Sequence, residues 1–205
     1  MIVTGTGRCG TRYTHEVLRA AGINAGHEKV FTYKVGLGVR QPEWGEYQAD
    51  VSWFAVPRLV EQDCPSVLVV RHPIRVVQSM LELGWFAPGQ RKIVLTTVEH
   101  FRPDVPKERT RPDACLALWL AWNLAALPHV QAVVRLEAAD FERRLLDGLG
   151  IDASPDPDYL AEVRADWERM NTKQDKKVSH PPVDWSTFRP GLRHAALDLA
   201  ERLGY

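Results

Sequence analysis

The sequence predicts an α/β fold, a three-layer sandwich in which helices flank a central, mostly parallel sheet. Two stretches carry this expectation. Ile2, Val3 and Thr4 form a β-branched, apolar run that meets a glycine-rich turn and then a helical pattern. Val67 to Val70 form a continuous apolar run, as in a parallel strand buried on both faces, and a second helical pattern follows at once. Strands that alternate with helices imply parallel pairing.

In the first unit, Gly5, Gly7 and Gly10 give the turn backbone freedom, and Tyr13, Val17, Leu18 and Ala21 recur at helical spacing from near Thr11 to Gly22. A strand, a glycine-rich loop and a helix N-terminus aim backbone N–H groups and the positive end of a helix dipole at one point. That point suits a phosphate or a sulfate. Gly5 and Gly10 match the first half of the pattern G-x-x-x-x-G-K-[ST], but Thr11 stands in place of the lysine and Arg12 in place of the hydroxyl. The usual magnesium ligand is therefore missing, and Arg8 and Arg12, which flank the turn, are left to supply positive charge in fork geometry.

Ile23 to Phe31 reads as a second extended segment. Residues just past the C-terminal end of a parallel strand face the ligand crevice, so His27 and Glu28 either line it or form a solvated pair. Thr32 to Asp50, broken by Gly36, Gly38, Pro42 and Gly45, reads as a long surface loop, a lid or substrate wall carrying Tyr33, Lys34, Arg40, Trp44 and Tyr47. VSWFAVPRLVEQ reads as an approach segment with a helical turn at Leu59 and Val60. Arg71 closes the Val67–Val70 strand. Pro73 fits the first position of the next helix, whose apolar face is Val76, Val77, Met80 and Leu81. Ser79, eight residues beyond Arg71, falls about two turns into it. It is either a tolerated interior serine or, with Arg71, a holder of a second phosphate.

Residues 85–113 contain Pro88, Pro103, Pro106 and Pro112 and read as an irregular insertion. Ala114 to Leu127 is apolar nearly all round, a buried helix ended by Pro128. AVVRLE reads as a further buried strand and FERRLLDGLGI as a helix with a glycine stop. The lysine-rich stretch within 171–185 is either a solvated loop or a mobile cationic flap beside Trp185. The closing amphipathic helix, through Leu192, Ala196, Leu199 and Leu203, reads as packing on the sheet.

The whole chain, 1–205, reads as one domain: 205 residues with 45% apolar content suffice for a core. Lys+Arg and Asp+Glu both number 26, which gives no electrostatic footprint for nucleic acid. Cys9, Cys64 and Cys115 are odd in number and unrelated in spacing, which favours a reducing cytoplasm over a disulfide framework. The longest apolar run falls short of the ~20 residues of a membrane span, and the N-terminus lacks a secretory pattern.

With both anion sites identified, the sequence resembles the sulfotransferases that use 3′-phosphoadenosine 5′-phosphosulfate (PAPS). GRCGTR, beginning at Gly7, looks like that family's 5′-phosphosulfate loop, with Arg8 at its basic position, Cys9 at the variable one, and Gly10 and Thr11 matching. RHPIRVVQS is similar to its 3′-phosphate motif through Arg71, Pro73 and Ser79. The resemblance implies a P-loop-like fold and a magnesium-independent enzyme that moves a sulfonyl group to a hydroxyl or amine and releases 3′,5′-adenosine diphosphate. The acceptor it implies is a small molecule, a carbohydrate or a lipid. It also implies a base near the end of the second strand, Glu28 first and His27 second, with Arg8 and Arg12 stabilising charge on the transferring group. The family's third cofactor contact is matched only loosely, by Lys173, Lys176, Lys177 and Trp185. Arg8 departs from the lysine of many members, keeping the charge without a titratable proton. Two rivals stand beside this reading: a nucleoside-triphosphate-dependent small-molecule kinase, and a nucleotide-binding module without turnover.

Overall fold

Among the described residues, five short strands lie side by side in the order β2-β3-β1-β4-β5, every neighbouring pair parallel. They are β1 (Ile2–Thr4), β2 (Ala25–His27), β3 (Ala49–Val51), β4 (Ser66–Val70) and β5 (Ala132–Arg135). The computed structural model describes residues 1–88, 92–108, 110–173 and 180–205, with side chains at 92–93 and 167–173 outside the description. The helices are α1 (Thr11–Ala20), α2 (Tyr33–Gly36), α3 (Pro73–Glu82), α4 (Lys92–Phe101), α5 (Arg111–Ala126), α6 (Phe141–Leu149), α7 (Pro157–Lys173) and α8 (Pro190–Arg202). Among the described residues no helix is long and apolar enough to cross a membrane.

The sheet needs no polar face because helices cover both of its sides. Alternate side chains of a strand point to opposite faces. Ile2, Leu68 and Val70 therefore join one core with α3, α5 and the 3₁₀ stretch Trp53–Glu61, while Val3, Val67 and Val69 join a second core with α1 and α6. Both cores are closed to water at β1 and β4, whose apolar residues are fully buried.

Several elements differ from the sequence reading. The stretch expected as a loop up to Asp50 ends in β3, which lies inside the sheet between β2 and β1, and it also holds α2. Three residues with a central Asp give too short a pattern for strand periodicity; pairing with two neighbours makes the strand. Residues 85–113 contain α4 and a 3₁₀ turn at Val105–Lys107 rather than continuous irregular chain. VSWFAVPRLVEQ is a 3₁₀ stretch capped by Ser52, whose Oγ accepts from the Phe54 amide at 3.1 Å. β5 is an edge strand, and Val133 is 39% exposed, so it is not the buried strand its apolar residues imply. The closing helix α8 packs on α5, one layer out from the sheet.

Candidate functional site

In an open parallel sheet the ligand crevice is expected where the chain leaves β1 and β4, the two central neighbours. α1 follows β1 onto one face of the sheet and α3 follows β4 onto the other. The two strand-to-helix loops thus diverge, which is the topological switch point at which open parallel sheets bind ligands. The loop after β1 is Gly5–Gly10, and the loop after β4 is Arg71–His72.

The glycine-rich loop has demanding geometry. Gly10 caps α1 with φ 95°, and a Cβ there would sit 2.6 Å from the Leu136 side chain, so a larger residue would be strained and would have to displace Leu136. Arg8, at φ 75°, is one of three non-glycine residues with positive φ among those described, and Glu28, at φ 56°, is another. Each such residue costs on the order of 1 kcal/mol, and such outliers gather at functional sites. The first amides of α1 have no intrahelical partners and face the loop.

The guanidinium side chains bring both loops together. Arg8 Nε donates to Ser79 Oγ at 3.0 Å, and an Arg71 terminal nitrogen donates to the Arg8 carbonyl at 3.3 Å. Arg71 is half-buried. Burial pulls its pKa down while Glu137, 3.9 Å away, opposes the shift, and an arginine stays charged regardless. Glu137 is the second half of this arrangement. It accepts from the His72 amide at 3.2 Å and from the Tyr205 hydroxyl at 2.8 Å, tying the chain's last residue to the crevice. The carboxylate sits two residues beyond β5, within the AVVRLE stretch, which the sequence presents as a strand without marking Glu137 for a role. Cys9 is fully buried behind the loop, where desolvation pushes its thiol up to about 12, so it packs rather than reacts.

Arg12 is exposed and lines a cleft between α1 and α7 with Tyr13, Glu16, Tyr159, Glu162, Val163 and Asp166. Its charge still reaches His27.

On the other side of β1, β2 delivers His27 and Glu28. His27 Nε2 lies 3.2 Å from Thr11 Oγ1, so the imidazole meets the first residue of α1. Burial, reinforced by the His15 and Arg12 charges, holds His27 down at about 4, which leaves it neutral at pH 7. Glu28 carries no carboxyl hydrogen bond or ion pair among the described residues. Burial, with the nearby Asp50 carboxylate, pushes it up to about 7. No guanidinium charge contributes to this shift; desolvation is its first cause and the Asp50 carboxylate its second. Asp50 is fully buried in β3 and accepts from the Lys29 amide at 3.0 Å and the Phe31 amide at 2.9 Å, which clips the turn that carries Glu28. Only the position of β3 reveals it, since the sequence presents Asp50 as the end of a loop.

Lys176 and Lys177 lie outside the described residues, as does the Lys173 side chain. The chain that follows is fastened beside Ser79: Gln78 Nε2 donates to the His180 carbonyl at 3.4 Å, and the Val183 amide donates to Gln78 Oε1 at 3.0 Å. Trp185 then stands edge-on to the His72 ring, centroids 6.2 Å apart.

The chain matches no family model, no curated protein and no solved structure at a significant level.

Proposed function

We propose that the chain is a PAPS-dependent sulfotransferase with a P-loop-like fold, acting on a hydroxyl or amine acceptor. The observation that carries this reading is the Arg8–Ser79 hydrogen bond together with the Arg71–Arg8 bond, which join the two anion motifs in one crevice. The donor set fits the ligand's chemistry: two guanidinium groups, a hydroxyl and a helix N-terminus all donate to tetrahedral oxyanions.

In this reading PAPS supplies an activated sulfonyl group on a good leaving phosphate. Gly7, Arg8, Cys9, Gly10 and Thr11 hold its 5′ end through loop amides and the Arg8 guanidinium. Arg71 and Ser79 hold the 3′-phosphate. Arg8 stabilises charge that builds on the transferring group, and the helix N-terminus adds fixed positive potential. Glu28 accepts the acceptor's proton, its pKa lying close to neutral pH where a base works best. His27, neutral and bonded to Thr11, is the second candidate for that role.

Titration calorimetry without magnesium tests the donor site. Binding of 3′,5′-adenosine diphosphate at micromolar affinity, with none for ATP, is expected; the reverse preference would favour a kinase. A panel of carbohydrate, lipid, phenol and amine acceptors with a radiolabelled sulfate donor then tests turnover. Nucleotide binding without transfer to any class would favour the non-catalytic module.

A further inference from the structure

α5 is apolar nearly all round and buried, yet it carries three side-chain N–H donors on one side, at positions 119, 122 and 123. Each reaches the chain just beyond the C-terminal end of a different strand. Asn123 Nδ2 donates to Thr6 Oγ1 at 3.1 Å, in the loop after β1. Trp119 Nε1 donates to the Arg71 carbonyl at 3.3 Å, in the loop after β4. Trp122 Nε1 donates to the Trp53 carbonyl at 2.9 Å, beyond β3.

Asn123 is 1% exposed, and its Oδ1 finds no partner among the described residues. An unsatisfied buried acceptor is a cost that leucine would avoid, so packing does not account for the amide. What the amide adds is the Nδ2 donor, shared between Thr6 and the Trp119 carbonyl at 2.8 Å.

We propose that Trp119 and Asn123 are positioning residues that set the spacing between the two anion-binding loops. They stand four residues apart on one helix, stacked about 6 Å apart along its axis. A rigid helix therefore holds Thr6 and Arg71 at one separation. The consequence is selectivity for ligands whose two anionic groups match that spacing, because preorganised loops spend no binding energy on ordering themselves. The proposal rests on the two-anion reading of the crevice.

Trp119→Phe and Asn123→Leu each remove one donor while keeping an apolar fill. Trp122→Phe is the control, since it removes a similar donor that serves neither anion loop. Affinities for 3′,5′-adenosine diphosphate and for adenosine 5′-phosphate are measured for all four proteins. The first two variants are expected to weaken the bisphosphate about tenfold and the monophosphate less than twofold, with the ratio unchanged in Trp122→Phe. General loosening of the fold would lower both affinities alike in all three variants, and that result overturns the proposal. Hydrogen exchange of the ligand-free proteins supplies a readout independent of any ligand. Faster exchange in the Thr6–Gly10 peptide of Asn123→Leu and in the Arg71 peptide of Trp119→Phe, relative to the α6 peptide, supports the spacing role. Wild-type protection in both loops overturns it. A wild-type protein that binds neither nucleotide sinks the donor reading, and the exchange data then decide the spacing role by themselves.

Discussion

The two sides of the crevice are built on opposite principles. On the β1–β4 side, Arg8 and Arg71 carry charge that burial does not remove, and each is held by bonds to the other loop or its following helix. On the β2 side, His27 and Glu28 are groups whose charge state is decided by burial, one pushed down to about 4 and the other up to about 7. In the proposed reading the first side is a permanent binding surface. The second can exchange a proton at neutral pH. A transferase needs both, and neither side can take over the other's work: an arginine is too basic to accept a proton, and a half-ionised carboxyl is a poor anchor for phosphate.

The largest expected effect tests the proton-exchanging side. Glu28→Gln is expected to lower kcat by about 10²–10³-fold with little change in nucleotide affinity. The wild-type rate should rise with pH through about 7, the value at which Glu28 becomes a carboxylate. Were His27 the base, the limb would fall near 4 instead, and His27→Asn would carry the loss.

On the permanent side, Arg71→Ala should weaken 3′,5′-adenosine diphosphate by roughly 30–100-fold, as for loss of a charge-assisted bond, while leaving the pH limb in place. Calorimetry at two pH values checks this, and a shifted limb would mean that the two sides are not separable.

Gly10→Ala should destabilise the fold by about 1–3 kcal/mol, read as a lowered urea midpoint, because alanine is strained at positive φ and its Cβ would meet Leu136.

The smallest effects lie in stability against pH, where the two β2 residues oppose each other. Glu28 holds its proton more readily folded than unfolded, so its contribution is complete below about 4.5 and is lost as pH rises through about 7. His27 holds its proton less readily when folded, so its contribution is complete above 6.5 and is lost as pH falls toward about 4. Glu28→Gln should therefore raise stability at pH 8 by about 1 kcal/mol, a figure reduced for the partial exposure of the carboxyl, and His27→Asn should do so near pH 4. Urea midpoints across this range would break the contrast if both variants gained stability at the same end of it.

How far the site could be read in advance follows the same division. The Gly5–Gly10 loop, α1, β4 and the start of α3 are local patterns: glycine spacing, an unbroken apolar run and a proline at the first helical position lie within a few residues of one another. Ser79 was legible as a helical position, but its bond to Arg8 spans 71 residues of chain. β3 was not legible, because its three residues gain strand geometry from neighbours on both sides. Asp50, Glu137 and Tyr205 have no role legible in the sequence for a related reason: each acts across a fold contact rather than within a motif.

By itself, then, the sequence determined the glycine-rich turn, the helix start and the arginines on which the proposed anion site rests, since these are local features that persist almost wherever the chain runs. Tertiary structure alone decided which strands are neighbours, that Arg8 meets Ser79 while Arg12 opens on the cleft between α1 and α7, and in which direction burial shifts His27 and Glu28. The physical reason is range. Backbone conformation and formal charge are properties of a few adjacent residues, whereas a pKa depends on how much water and which charges the whole fold leaves around a group.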